Sequence, residues 1–141
     1  MEKNLVREYF LEKGFNCSES MLRAANDYYG LGLNEESLRL AGGFGGGMGA
    51  GGACGALCGA IQAIAAMMIM EQESSKSSAC PGFREACAAY YNAFAEQLGS
   101  SECRDLTPKY KKPDTRCYEL MEKAWALLEE AAAKVGRKPV E

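Results

Sequence analysis

Cys54-Gly55-Ala56-Leu57-Cys58-Gly59-Ala60-Ile61-Gln62 opens the stretch whose reading decides the fold. The run continues to Met70 almost without polar side chains, and most of its residues are strong helix formers. A polar segment, Glu73-Ser74-Ser75-Lys76-Ser77-Ser78, ends it. The pattern predicts one helix from roughly Cys54 to Gln72. That run is too short to span a bilayer comfortably and contains Gln62, so it reads as a buried central helix. Gly55 and Gly59 lie one helical turn apart, and each costs roughly 1 kcal/mol of helix propensity relative to alanine. Their placement predicts close approach of a neighbouring helix.

Outward from this helix the hydrophobic period is helical throughout, and no strand is expected. Leu5, Tyr9 and Phe10 mark a first helix ending at Gly14. Asn16-Cys17-Ser18-Glu19 reads as a capping box opening a second, stopped by Gly30. Asn34 caps a short third helix. Pro81 opens a fifth, whose Phe83, Cys87, Tyr90, Tyr91 and Phe94 keep helical spacing up to Gly99. Ser100-Ser101 caps a short turn through Leu106. Asp114 is the cap candidate for a last helix from near Thr115, with Leu120, Ala124, Leu127, Leu128 and Ala131 along one stripe. The expected architecture is all-α: one domain over residues 1–141, a bundle of about five to six helices around the central one.

Before the central helix lies Gly42-Gly43-Phe44-Gly45-Gly46-Gly47-Met48-Gly49-Ala50-Gly51-Gly52. Gly47, Gly49 and Gly52 satisfy G-x-G-x-x-G, yet a dinucleotide fingerprint follows a strand, and here a helix precedes it. No P-loop lysine follows. Phe44 and Met48 argue against a flexible linker. The tract reads as a compact loop that turns through positive φ beside a buried site, with free N–H groups available to sulfur.

The 141 residues carry a net charge of −3, which gives no footing for nucleic acid or anionic membranes. Lys109-Tyr110-Lys111-Lys112 reads as a solvated loop, and Glu35-Glu36 and Glu129-Glu130 as solvated helix faces. The N-terminus shows no signal-type apolar segment, so a cytoplasmic setting is expected, where the seven cysteines serve as metal ligands or working thiols rather than permanent disulfides. The chain has no histidine. His-ligated haem, His-containing zinc sites and every Cys–His or Ser–His–Asp arrangement are therefore excluded.

Four of the cysteines, Cys17, Cys54, Cys103 and Cys117, fall at predicted helix starts. A thiolate is the reactive and metal-binding form, and the unpaired N–H groups of a first helical turn favour it. Burial of cysteine as a small hydrophobe is the competing explanation for any one of them; burial alone does not select helix starts for four. Arg104 follows Cys103 and Arg116 precedes Cys117, offering two neighbouring cations.

Taken together, Gly14-Phe15-Asn16-Cys17-Ser18-Glu19-Ser20, the glycine tract, Cys54-Gly55-Ala56-Leu57-Cys58-Gly59, Cys103 and Cys117 resemble the C-GCAxxG-C-C family, defined by four spaced cysteines and a Cys-Gly-Ala-x-x-Gly motif. The likeness covers most of the chain. It implies a redox-active protein whose four family cysteines are Cys17, Cys54, Cys103 and Cys117, acting with an oxidoreductase or another redox protein as partner. Cys58 falls in the variable part of the motif and reads as an added ligand, a resolving thiol or a core residue. Cys80 and Cys87 lie outside the family set. On one helix they would share a face two turns apart, too far to bridge.

If the four thiols converge, a helix end contributes roughly 0.3–1 kcal/mol to each anion, less than their mutual repulsion. They must then stay protonated, pair as disulfides or gather around a cation. The cation readings are an iron–sulfur cluster or an all-cysteine zinc site, with Cys17, Cys54, Cys103 and Cys117 as ligands and Gly52, Gly55, Gly59 and Cys58 around the bound group. The disulfide reading is electron shuttling by thiol exchange. An oxidoreductase, an electron-transfer accessory and a non-catalytic zinc or interaction module all remain open, as does a homo-oligomer.

Overall fold

A computed structural model describes residues 4–140. Among them there are seven α-helices and no strand. The first, α1, is a single turn at Leu5–Arg7 continued by a π-helical turn at Glu8–Glu12. Next come α2 at Cys17–Tyr29, α3 at Glu35–Arg39, α4 at Gly55–Met68, α5 at Phe83–Leu98, α6 at Cys103–Tyr110 and α7 at Tyr118–Lys134. The bundle thus has one helix more than the upper expectation, because the segment expected as a short turn through Leu106 is a helix in its own right, α6, reaching Tyr110.

Local chemistry explains the boundaries. The Asn16 side chain accepts from the Glu19 amide at 2.9 Å while the Glu19 carboxylate accepts from the Asn16 amide at 2.8 Å, the reciprocal capping box that starts α2. Gly30, in the left-handed region at φ 61°, ends it. Asn34 accepts from the Ser37 amide and starts α3. Two starts differ from expectation. Pro81 does not open α5; Gly82 precedes its first residue, Phe83, and Cys80 lies outside the helix, so Cys80 and Cys87 share no helical face. The last helix begins at Tyr118 rather than near Thr115, because Lys112 and Arg116 exchange both backbone hydrogen bonds at 2.8 Å and hold the residues between them in a tight turn. That turn places Arg116 at φ 52°, an uncommon conformation for a non-glycine residue.

Helix α4 is the centre, packed on α2, α5 and α7. Its Ala56, Leu57, Ala60, Ala63, Ile64, Ala66 and Met67 are all buried, as a helix apolar on most of its faces requires. Its contact with α2 is the most extensive in the molecule. Gly59 makes that possible: a Cβ there would lie 2.5 Å from the Ser18 carbonyl oxygen and 2.9 Å from the Met21 Cβ. No helix among the described residues is long and apolar enough to cross a membrane.

Candidate cysteine site

The N-terminal ends of α2, α4, α6 and α7 meet around one cavity of about 170 Å³. Each end brings a cysteine. Cys17 and Cys103 are the first residues of α2 and α6, and Cys54 and Cys117 immediately precede α4 and α7 as their N-caps. All four line the cavity, with Phe10, Leu106 and Leu120 supplying apolar wall and Asn16, Thr107, Lys111 and Arg116 supplying polar groups.

Two local devices bring distant parts of the chain together. The exit of the glycine tract pairs with the segment before α6: the Cys54 amide donates to the Ser101 carbonyl at 2.8 Å, and the Cys103 amide to the Gly52 carbonyl at 2.7 Å. This short antiparallel pairing, centred on Ala53 and Glu102, ties Cys54 to Cys103 through backbone. On the other side the glycine tract folds tightly onto α2. Asn16 Nδ2 donates to the Gly42 carbonyl, and the Ser18 hydroxyl to the Ala41 carbonyl. At Gly55 a Cβ would fall on the Cys17 sulfur and lie 2.9 Å from the Phe44 carbonyl oxygen, so only glycine admits Cys17 here. At Gly47, which sits at φ 65°, a Cβ would be 2.8 Å from that of Cys103.

Burial governs the charge state of the thiols. It pushes Cys17, Cys54 and Cys117 upward, Cys54 to about 12. Neighbouring thiols add to this, since Cys17 and Cys103 each disfavour the Cys54 anion. Backbone amides oppose it: the Gly46 N–H faces the Cys17 sulfur, and the Ala56 and Leu57 amides point towards the Cys54 sulfur without closing a cap bond. Desolvation outweighs these dipoles. Helix starts therefore soften, and do not reverse, the burial cost. Cys103 makes a 3.3 Å contact with the Thr107 hydroxyl.

The two neighbouring cations part company. Arg104 is turned to solvent, donating to the Gly51 carbonyl at 2.9 Å. Arg116 lines the cavity, its guanidinium 3.7 Å from the centre of the Phe10 ring and bonded to the Phe10 carbonyl oxygen. Lys111 also lines the cavity, though the sequence reading placed it in a solvated loop; nothing in the local pattern reveals the fold-back that brings it there. Of the glycines assigned to the surround, Gly55 lines the cavity. Gly52 shapes the loop beside it, and Gly59 packs α4 on α2. Cys58 is half-buried on α4 outside the cavity wall, where burial, and after it the nearby Cys17 thiol, disfavours its ionisation. Cys87 packs against the core. Among the described residues, no three or more Cys, Asp or Glu side chains stand gathered to hold a metal ion.

The helical bundle thus directs four cysteine-bearing helix starts into one cavity. Residues 15–131 match the model of the family described as "Putative redox-active protein (C_GCAxxG_C_C)", and the chain belongs to that family, which supports a redox role for it. No curated protein and no solved structure matches the chain.

Proposed function

We propose that the protein transfers electrons through an iron–sulfur cluster held by Cys17, Cys54, Cys103 and Cys117. The observation that carries this reading is the cavity of about 170 Å³ lined by all four thiols. Four cysteines are the usual ligand set of such clusters. Zinc–sulfur bonds of about 2.3 Å require the sulfurs to draw in around one point. A cluster interposes several metals and sulfides, so it suits four thiols spaced around a void better than a single ion does.

The protonation pattern supports the same choice. A thiol held near 12 is thiolate in only about one part in 10⁵ at neutral pH, which makes Cys54 a poor nucleophile for disulfide exchange. A cation in the cavity removes that obstacle, because ligation takes the proton off the thiol and neutralises the charge burial opposes. When bound, the cluster supplies one-electron chemistry. The chain supplies the rest: Phe10, Leu106 and Leu120 limit water, while the Gly46, Ala56 and Leu57 amides and the Lys111 and Arg116 cations lower the cost of negative charge on the sulfurs.

Iron and acid-labile sulfide content, with the visible spectrum, of protein purified without oxygen tests the reading. Iron and sulfide in matching amounts with broad visible absorption are expected. Zinc without sulfide would turn the assignment to a structural site. Protein that takes up no iron and sulfide on anaerobic reconstitution, and cycles between dithiol and disulfide instead, would turn it to thiol exchange.

A further inference from the structure

The cavity is charged in one sense only. Lys111 and Arg116 are the two charged side chains in its wall, both cations, and no carboxylate among the described residues lines it. Lys111 is exposed and its ammonium has no ion-pair partner among those residues. Both belong to a basic segment. Residues 104–116 hold Arg104, Lys109, Lys111, Lys112 and Arg116 against Asp105 and Asp114, a net +3 in a chain whose total is −3. Arg104, Lys109, Lys111 and Lys112 are all exposed. The remainder of the chain therefore carries −6, and two cations of the segment, Lys111 and Arg116, line the cysteine cavity.

A solvated lysine loop is the plain alternative, and it accounts for Lys112, whose ammonium pairs with Glu119 at 3.1 Å. It does not account for Lys111 and Arg116 lining the cavity. The outer cations are tethered but still exposed: Arg104 donates to the Gly51 carbonyl and pairs with Glu102 at 3.9 Å, and Lys109 donates to the Leu98 carbonyl at 3.4 Å, which leaves Lys111 and Arg116 as the cations that matter first. We infer that the 104–116 segment is a docking face for an acidic redox protein, which exchanges electrons with the site through the mouth between α6 and α7. A nucleic acid is a poorer fit, because a −6 remainder would repel a long polyanion beyond this one segment. The inference rests on the redox reading of the site. Like-signed focusing at a cleft raises encounter rates with an oppositely charged partner and decays within a Debye length of about 10 Å at 0.1 M salt.

Two probes of opposite charge test this. In stopped-flow oxidation of the reduced holoprotein, each one-electron step takes an electron from the site and reduces one Co(III) complex to Co(II). Anionic tris(oxalato)cobaltate(III) should react fastest at low salt, its rate falling steeply as salt rises, while cationic hexaamminecobalt(III) should show the opposite trend. The Lys111→Glu/Lys112→Glu variant should lower the anion-to-cation rate ratio about tenfold or more at low salt, and the loss should vanish at high salt. A ratio unchanged by the substitutions would overturn the docking face. A second readout needs no cluster. In metal-free protein at alkaline pH, alkylation of the site thiols by anionic iodoacetate relative to neutral iodoacetamide should fall several-fold in the same variant. Loss of the cobalt reactions with the alkylation ratio still shifted would sink the redox reading and leave the positive mouth standing; an unshifted alkylation ratio would sink the mouth itself.

Discussion

The two halves of the cysteine site are built differently. Cys17 and Cys54 lie at the seam between α2 and α4, where glycine at positions 55 and 59 lets the helices meet backbone to side chain. Cys103 and Cys117 are held by turns: a two-residue pairing to the glycine tract on one side and the Lys112–Arg116 ladder, with Arg116 laid across Phe10, on the other. The first half is specified by packing and holds the most buried of the four thiols, Cys54 at 5% exposure. The second is specified by hydrogen bonds and borders the exposed basic segment. A site made this way has a stiff, insulated wall facing the core and an adjustable wall facing solvent. That division suits a group that must be gripped at one end and reached at the other.

The sharpest test of the packed half is Cys54→Ser. Serine is a better N-cap than cysteine, so α4 should keep its helix content. Iron and sulfide binding should be abolished. Unaltered metal content in that variant would show that the seam is not part of the site.

A smaller effect comes from pH. In the metal-free protein the folded-state value of Cys54 is raised from its ordinary 9.0 to about 12, so the folded chain keeps a proton that the unfolded chain releases. The stabilisation is fully present below pH 9 and is lost as pH rises from there towards 12, by at most about 1.4 kcal/mol per pH unit. Urea unfolding across that range should show the decline, and Cys54→Ser should flatten it. An equal decline in that variant would assign the effect to other groups.

The smallest expected change is Gly59→Ala. Helix propensity favours alanine by up to about 1 kcal/mol, whereas overpacking against the Ser18 carbonyl costs about 1–3 kcal/mol. A net loss of up to about 2 kcal/mol should lower the melting temperature by a few degrees. A rise instead would mean that α2 yields easily and that the seam is looser than the turn-built half.

What could be read beforehand follows the same division. The central helix, the Asn16 capping box, the Gly30 stop and the close-approach role of Gly59 are local or periodic signals, and each is legible in neighbouring residues. The position of the four cysteines at helix starts was legible, and the structure brings those four starts to one cavity. The turn-built half was less so. Arg116 and Cys117 reach the cavity through a ladder that delays α7 to Tyr118, and a backbone pairing of that kind leaves no trace in hydrophobic period. Lys111 lines the cavity for the same reason. Helix-end dipoles, the most attractive feature of the sequence pattern, prove weaker than desolvation at Cys54, which only the burial itself could reveal.

The pairing of Ala53 with Glu102 also bears on how the molecule is made. Helices α4 and α5 lie between its two strands of chain, so it closes a long loop whose entropy cost the packing of those helices helps to offset. Cys17 and Cys54 can meet as soon as α2 packs on α4, whereas Cys103 and Cys117 arrive with the last third of the chain. The fourfold site is therefore a late product of folding. A group that needs all four cysteines can thus be held only once the whole bundle has assembled.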